Sequence, residues 1–401
     1  MRYFKFLFLL IIGSLLLNSC SNVRNEKDYI AKVYDNLNQI KNVSYNSTIE
    51  VWAPFDTLPS HTFYSFKKEF NNPSDSTIGA SFVTMSKDKS QVNKVYDGNM
   101  TATIFHENKG VLIDSFKLSR NTDFRPITAP FFNYAKSILR YALSTNDSVV
   151  YNYQDLDSLY YFKLTIYEDH QVEFFGKAYY MPQGSYDYGD RTSQYEIWID
   201  KKIDLPIKIR REMSHNISVE YCNGIKVNEL NTNELKAINY LPEEYEYREY
   251  GVDNQKIENS KLIGKLAPKW ILKSDKNKEV SLDDLESKFL ILQFTSVNCG
   301  ACKLSVPFLN KLSAMHNPND VRILAIECST KSLQALKHYR VKNEISYKLL
   351  HASKEVIENY SVKSYPTFYL LDENRKVVKV ITGYKKGKTD IEIKKIINEH
   401  I

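Results

Sequence analysis

The chain has 401 residues, enough for two or three domains, and its hydrophobic content of 43% supports real cores. Its 54 basic and 48 acidic residues interleave and leave a net charge of +6, mild for this length, so charge gives no case for a nucleic-acid partner. Tyrosine is frequent, with 29 copies. Most precede residue 262, which favours strands with one solvated face in the first part of the chain.

Residues 1–19 read as an export signal. Arg2 and Lys5 charge its start, and Phe6 to Leu17 form an apolar core of 12 residues. A bilayer-spanning helix needs about 20 residues, so this core is too short to span. The segment ends in Leu17-Asn18-Ser19-Cys20, which resembles a bacterial lipobox. That resemblance implies that the Cys20 thiol is lipidated and becomes the mature N-terminus. Acyl chains partition into membrane at about 0.8 kcal/mol per methylene, so such an anchor holds. The alternative is an ordinary secretory signal with a chance cysteine. Residues 20–27 read as a polar tether, and no acidic run follows Cys20 to suggest display on the cell exterior.

Residues 28–250 read as a β-rich domain. Tyr29, Ile30, Val33, Tyr34, Leu37 and Ile40 recur at helical spacing and predict one amphipathic helix over 28–42. From Val43 the pattern alternates. Strands are predicted at Ser44–Val51, Thr62–Phe70, Thr77–Met85, Gln91–Tyr96, Thr101–His106 and Val111–Lys117, with a hairpin at Asp97-Gly98. A helix near Phe132 to Leu143 interrupts the series. Strands resume at Val149–Tyr153, Tyr160–Tyr167, Val172–Tyr180, Gln194–Asp200, Ile207–Glu212 and Ile217–Cys222, the last before an Asn223-Gly224 turn.

This gives a mainly antiparallel domain with one or two helices and no βαβ rhythm, so a curved sheet wrapped on a helix is expected. Tyr96-Asp97-Gly98, and Trp198-Ile199-Asp200 followed by Leu205-Pro206, faintly resemble the half-barrel of periplasmic lipoprotein carriers. That would imply a concave apolar face for a lipid or a hydrophobic segment. The competing expectation is a face filled by the chain's own helices. His61, His106, His170 and His215 are scattered singly among polar residues and read as surface groups.

Tyr245 to Tyr250 reads as an edge strand, and 251–262 as a charged linker before a domain over 263–401. Phe289-Leu290-Ile291-Leu292-Gln293-Phe294 is a short apolar run suited to a buried strand. Leu304, Phe308, Leu309 and Leu312 then mark a helix face, so Cys299 and Cys302 sit where strand gives way to helix. A thiol there faces unpaired backbone N–H groups and the positive end of the helix dipole, which favour its thiolate. The second sulfur lies one turn on and can close a disulfide with the first. A strand is predicted at Val321–Ile326, and helices near Ser332–Tyr339, Lys354–Tyr360 and Ile391–Ile397, the last capped by Thr389.

Several landmarks together resemble the membrane-anchored periplasmic thiol–disulfide oxidoreductases of the TlpA/ResA type. They are Gly264-Lys265-Leu266-Ala267-Pro268, a strand at Lys269–Lys273, a short Ser-capped helix at Ser281–Ser287, Cys299-x-x-Cys302 with Pro307, Tyr365-Pro366-Thr367 before the strand Phe368–Leu371, and Gly383 after Val377–Thr382. The resemblance implies an α/β thioredoxin fold in the C-terminal third, a redox-active Cys299–Cys302 disulfide and a cis-proline loop at Tyr365-Pro366. It implies no cofactor and no metal. Its expected partners are disulfide or dithiol client proteins and a membrane thiol-electron donor.

Three departures bear on tuning. Asn298 stands where the family has Trp, Gly300-Ala301 where Gly-Pro is commoner, and Gln293 where thioredoxins keep a buried acid. A glutamate of some relatives falls near Thr330, and Glu327 is the nearest ionisable candidate for a proton relay. Environment moves such couples by roughly 150 mV, about 7 kcal/mol for two electrons. The motif therefore does not separate reductase from oxidase.

The expected chemistry is thiol exchange in the periplasm. Cys299 attacks, Cys302 resolves, and the Tyr365 backbone beside Pro366 pairs with the client. Cys222 and Cys328 read as free thiols, since pairing them would require two domains to meet. Two alternatives stand beside this reading. One is a thiol peroxidase, suggested by Ser296-x-x-Cys299; the other is a lipid- or partner-binding lipoprotein with an auxiliary redox domain.

Overall fold

The computed structural model describes residues 26–401 except 55, 57, 118–126, 168–170, 175–177, 181–191, 214–215, 232–233, 252–260 and 331. The expected export signal over 1–19, Cys20, the expected tether up to residue 25, His170, His215 and most of the expected linker lie outside the described residues. Among those described, no helix is long and apolar enough to cross a membrane.

Among the described residues, the N-terminal domain holds a twelve-stranded sheet, a separate two-stranded sheet and two α-helices. In chain order, α1 (26–38) leads into β1 (Asn42–Trp52), β2 (His61–Asn71), β3 (Ala80–Met85), β4 (Val92–Tyr96), β5 (Thr101–Phe105) and β6 (Gly110–Asp114). After α2 (Phe131–Ser144) come β7 (Val149–Asp155), β8 (Leu159–Ile166), the short pair β9 (Gln171–Phe174) and β10 (Ala178–Tyr180), then β11 (Ser193–Asp200), β12 (Leu205–Met213), β13 (Asn216–Val227) and β14 (Glu246–Glu249). The strand order is β14-β6-β5-β4-β3-β2-β1-β13-β12-β11-β8-β7. Among the described strands of this domain, only β14 pairs in parallel, against β6 at the edge.

The period-2 pattern explains the sheet's orientation. Along β11, Tyr195, Ile197 and Ile199 are buried, while Gln194, Glu196 and Trp198 face the other side. The buried face meets Ile30, Val33 and Leu37 of α1 and Phe131, Phe132, Ala135, Ile138 and Leu139 of α2. The chain's own helices thus fill that face.

Some details differ from the sequence expectations. The first helix ends at residue 38, not 42, and the run predicted over Val172–Tyr180 is broken into β9 and β10. Asn223-Gly224 does not end a strand. Gly224 adopts φ +63 within β13, and the register with β1 slips between Ser44 and Asn46. A glycine in the left-handed region lets β13 carry a bulge and continue to Val227. His106 is not a free surface group: its ring nitrogens lie 3.0 Å from the Tyr245 hydroxyl and 2.8 Å from the Val92 carbonyl.

The C-terminal domain has three layers around a seven-stranded sheet. Its elements are β15 (Ile271–Ser274), β16 (Glu279–Ser281), β17 (Phe289–Thr295), α3 (Gly300–Met315), β18 (Val321–Glu327), α4 (Leu333–Lys342), β19 (Lys348–His351), α5 (Lys354–Asn359), β20 (Thr367–Leu371), β21 (Val377–Thr382) and α6 (Lys388–Asn398). The order is β16-β15-β19-β18-β17-β20-β21, with β17, β18 and β19 mutually parallel. Every residue of the central β17 is buried. Phe289 and Ile291 pack with Leu309 and Leu312 of α3 and Ile393 and Ile397 of α6; Leu290, Leu292 and Phe294 pack with Trp270, Val356 and Tyr360. Burial on both faces is why this strand reads as a continuous apolar run.

No helix forms over Ser281–Ser287. Ser281 ends β16, and only a turn with a Leu285 N to Leu282 O bond follows. The segment is too short to repay helix nucleation, and burying Leu282 and Leu285 fixes it instead. Thr389 is not the cap of α6. The cap lies two residues earlier, at Gly387, with Asp390 Oδ2 accepting from Gly387 N at 3.0 Å.

Candidate redox site

The site assembles where β17 ends. After Thr295 the chain turns through Ser296–Asn298, and Cys299 becomes the N-cap of α3. Its Sγ accepts from the Cys302 amide at 3.1 Å, so a sulfur takes the role usually held by a Ser or Asp oxygen. Amides that stabilise a sulfur at this point also stabilise a thiolate. Cys299 and Cys302 are joined as a disulfide with Cα atoms 5.2 Å apart. Cys302 is only 1% exposed, while Cys299 is half-buried. Any attacking group therefore reaches Cys299 first.

On one flank, antiparallel pairing of β20 with β17 brings the start of β20 beside the cysteines. The Tyr365–Pro366 bond is cis, and the Tyr365 carbonyl oxygen lies 3.6 Å from Cys299 Sγ. Gly383, at φ +80 just after β21, donates its amide to the Pro366 carbonyl at 2.7 Å. The family resemblance implied a cis-proline loop at Tyr365-Pro366, and the structure sets that loop beside Cys299.

Gln293 on β17 is buried and donates from Nε2 to Ser305 Oγ at 2.7 Å. On the other flank, β18 ends in Glu327, which is fully buried. Its Oε1 accepts from Val297 N at 3.2 Å, Ser329 N at 2.9 Å and Ser329 Oγ at 2.5 Å, and its Oε2 accepts from Thr330 N at 2.9 Å. Burial raises its pKa despite these donors, which pull the other way. Glu327 thus pins two loops, and no hydrogen bond joins it to either sulfur of the CxxC pair among the described residues.

The two other described cysteines, Cys222 and Cys328, form no disulfide. Cys222 is buried in the N-terminal domain, and desolvation pushes its thiol well above the ordinary range. Cys328 is partly buried beside the Tyr365 side chain; burial, with Glu327 next to it, likewise pushes its thiol up. Neither is a ready nucleophile. Sequence reasoning missed one group of contacts. The loop between β1 and β2 reaches this site through Asp56 and Ser60, some 240 to 275 residues away in sequence, a separation that leaves no local signal.

Comparison with known proteins gives matches over the C-terminal region. Residues 263–380 match the model of the AhpC/TSA family. "Thiol-disulfide oxidoreductase ResA" of Bacillus cereus is 28% identical over 138 residues, 34% of this chain and 77% of the relative. ResA of Bacillus subtilis (strain 168) is 28% identical over 123 residues, 30% of this chain and 67% of the relative. Among solved structures, StoA from Bacillus subtilis aligns with 20% identity and a TM-score of 0.29, covering 32% of this chain and 96% of that one. A thioredoxin-family thiol:disulfide interchange protein from Chlorobium tepidum TLS aligns with 20% identity and a TM-score of 0.31, covering 34% and 94%. The C-terminal third is thus a thioredoxin-fold domain of the AhpC/TSA family, and with it the protein is a thiol–disulfide oxidoreductase.

Proposed function

We propose that the protein works in the cell envelope, held to the membrane through a lipidated Cys20 and facing the periplasm. There it exchanges the Cys299–Cys302 pair with client disulfides, as reductant more than oxidant. The observation that carries this reading is the asymmetry of the pair: one sulfur half-buried at a helix start, the other 1% exposed.

In the reductive direction the Cys299 thiolate attacks one sulfur of a client disulfide. A protein–client S–S bond forms, the client S–S bond breaks, and the departing thiolate takes a proton from water. Cys302, once its thiol has lost a proton to water, attacks Cys299 Sγ and closes the internal disulfide; the protein–client S–S bond breaks, and the second client sulfur leaves as a thiolate that takes up a proton. Two electrons have moved to the client, and a membrane dithiol donor restores the reduced pair. The client chain lies against the Tyr365 backbone beside Pro366 in the manner of an added strand, and the Tyr365 side chain shapes client choice. The steps need no cofactor.

The test is trapping. A Cys302→Ser variant expressed in the native envelope accumulates thiol-reducible adducts through Cys299. Adducts no more abundant than with Cys299→Ser/Cys302→Ser would remove the exchange reading. A Cys20→Ala variant leaves the membrane fraction if the lipid anchor is right, and stays there if it is wrong.

A further inference from the structure

Two loops border the Cys299 side of the sheet: Ser296–Asn298 after β17, and the turn after β18. Both are held by a segment from the other domain. Ala53, just beyond β1, is 1% exposed and belongs to the apolar core of the C-terminal domain, in one cluster with Val297 and Leu336. Asp56 Oδ2 accepts from Thr330 Oγ1 at 3.0 Å. The direction of this bond is set by chemistry, because a carboxylate has no proton to give and the Thr330 hydroxyl already accepts from Ser332 N at 3.1 Å. Asn298 Nδ2 lies 3.5 Å from Ser60 Oγ, and Ser60 is 2% exposed.

The tip is braced from within. Asp56 N donates to Ala53 O at 3.0 Å, and both the amide and the hydroxyl of Ser60 donate to Val51 O, at 2.8 and 2.9 Å. A hydrogen-bonded path therefore runs from Asp56 through Thr330 to Glu327, and from Glu327 to Val297, two residues before Cys299.

Sheet order fixes which side this covers. β18 lies on one side of β17 and β20 on the other. The hairpin tip sits on the β18 side, and the Tyr365–Pro366 loop leads into β20. We propose that Ala53, Asp56 and Ser60, on the connection between β1 and β2, form a fixed wall of the redox site, a specificity-determining element that leaves Cys299 open to bulky partners only along the Tyr365–Pro366 side. The inference rests on Cys299 being the attacking sulfur. It gives the N-terminal domain a part in client choice: an extended segment crossing Tyr365 fits, whereas a folded surface approaching over the β18 side meets the wall.

The experiment compares two maleimides on the full reduced chain in a Cys302→Ser background. One is N-ethylmaleimide and the other carries a long polyethylene glycol, and modification of Cys299 is followed by peptide mass. Two variants release the tip: Ala53→Glu, which forces a charge into the buried contact, and Asp56→Ala, a loop substitution that removes the carboxylate to which Thr330 donates. In both, the ratio of bulky to small reagent rates rises roughly threefold or more, as expected when an orientational restriction on approach is relaxed. If Ala53→Glu misfolds, Asp56→Ala carries the test alone. An unchanged ratio, with the small reagent reacting normally, overturns the wall. Failure of N-ethylmaleimide to modify Cys299 in the unaltered tip overturns instead the assignment of the attacking sulfur.

Discussion

Gln293 donates to Ser305 Oγ at 2.7 Å, and the Ser305 hydroxyl in turn donates to the Cys302 carbonyl at 2.6 Å. A neutral amide thus braces the first turn of the redox helix, where an acid would add a buried charge. Gln293→Leu removes the donor to a buried hydroxyl and should cost about 1–3 kcal/mol. The check is the urea midpoint of the C-terminal domain. Gln293→Glu retains an acceptor but introduces a carboxylate beneath the pair, which disfavours a nearby thiolate. Exchange by Cys299 at neutral pH should slow, with the loss recovered as pH rises.

Glu327 invites a separate prediction, because its oxygens are occupied by Val297, Ser329 and Thr330 donors. Glu327→Ala orphans several buried amides and should destabilise the domain by on the order of 3 kcal/mol. Glu327→Gln keeps an acceptor oxygen and lacks the titrating group. As a loop anchor, it should leave the shape of the pH–rate profile of exchange unaltered. A lost inflection in that profile would mark Glu327 as a proton relay instead.

The N-terminal domain carries a pH signature of its own. Glu69 is buried and accepts from the Phe132 and Asn133 amides at the start of α2, each at 3.1 Å. Burial raises its pKa from 4.5 to about 7. Below 4.5 the folded and unfolded chains both hold the proton; between 4.5 and 7 only the folded chain keeps it. Stability of this domain therefore falls as pH rises through that window, by about 3 kcal/mol in all, and levels off above it. Denaturant midpoints measured across the window should show this slope, and Glu69→Gln should flatten it.

The features legible in the sequence were those with a local period. β11 shows its alternation, β17 its unbroken apolar run, and Asp97-Gly98 its hairpin, with Gly98 at φ +94. The redox pair was legible because strand, cysteines and helix follow one another along the chain. What escaped depends on partners distant in sequence or on very short elements. β16 and β19, of 3 and 4 residues, are too brief to show a period. The cap on α2 comes from Glu69, more than 60 residues upstream, and nothing near Pro130 announces it. Thr389 reads as a good N-cap, yet its hydroxyl accepts from Lys385 N at 3.0 Å while Asp390 reaches back to Gly387. Asp56 and Ser60 look like ordinary loop residues until the fold sets them against Thr330 and Asn298.

The most direct measurement equilibrates the purified protein in graded mixtures of reduced and oxidised glutathione, with alkylation and intact mass counting its free thiols. The account predicts that Cys299 and Cys302 disappear together, in one two-electron transition. It places the midpoint more negative than the roughly −180 mV of protein disulfide isomerase. The bridged form should return to the dithiol when a reduced peptide is supplied. Loss of a single thiol as a glutathione adduct, or a bridge that exchanges with nothing, would contradict it.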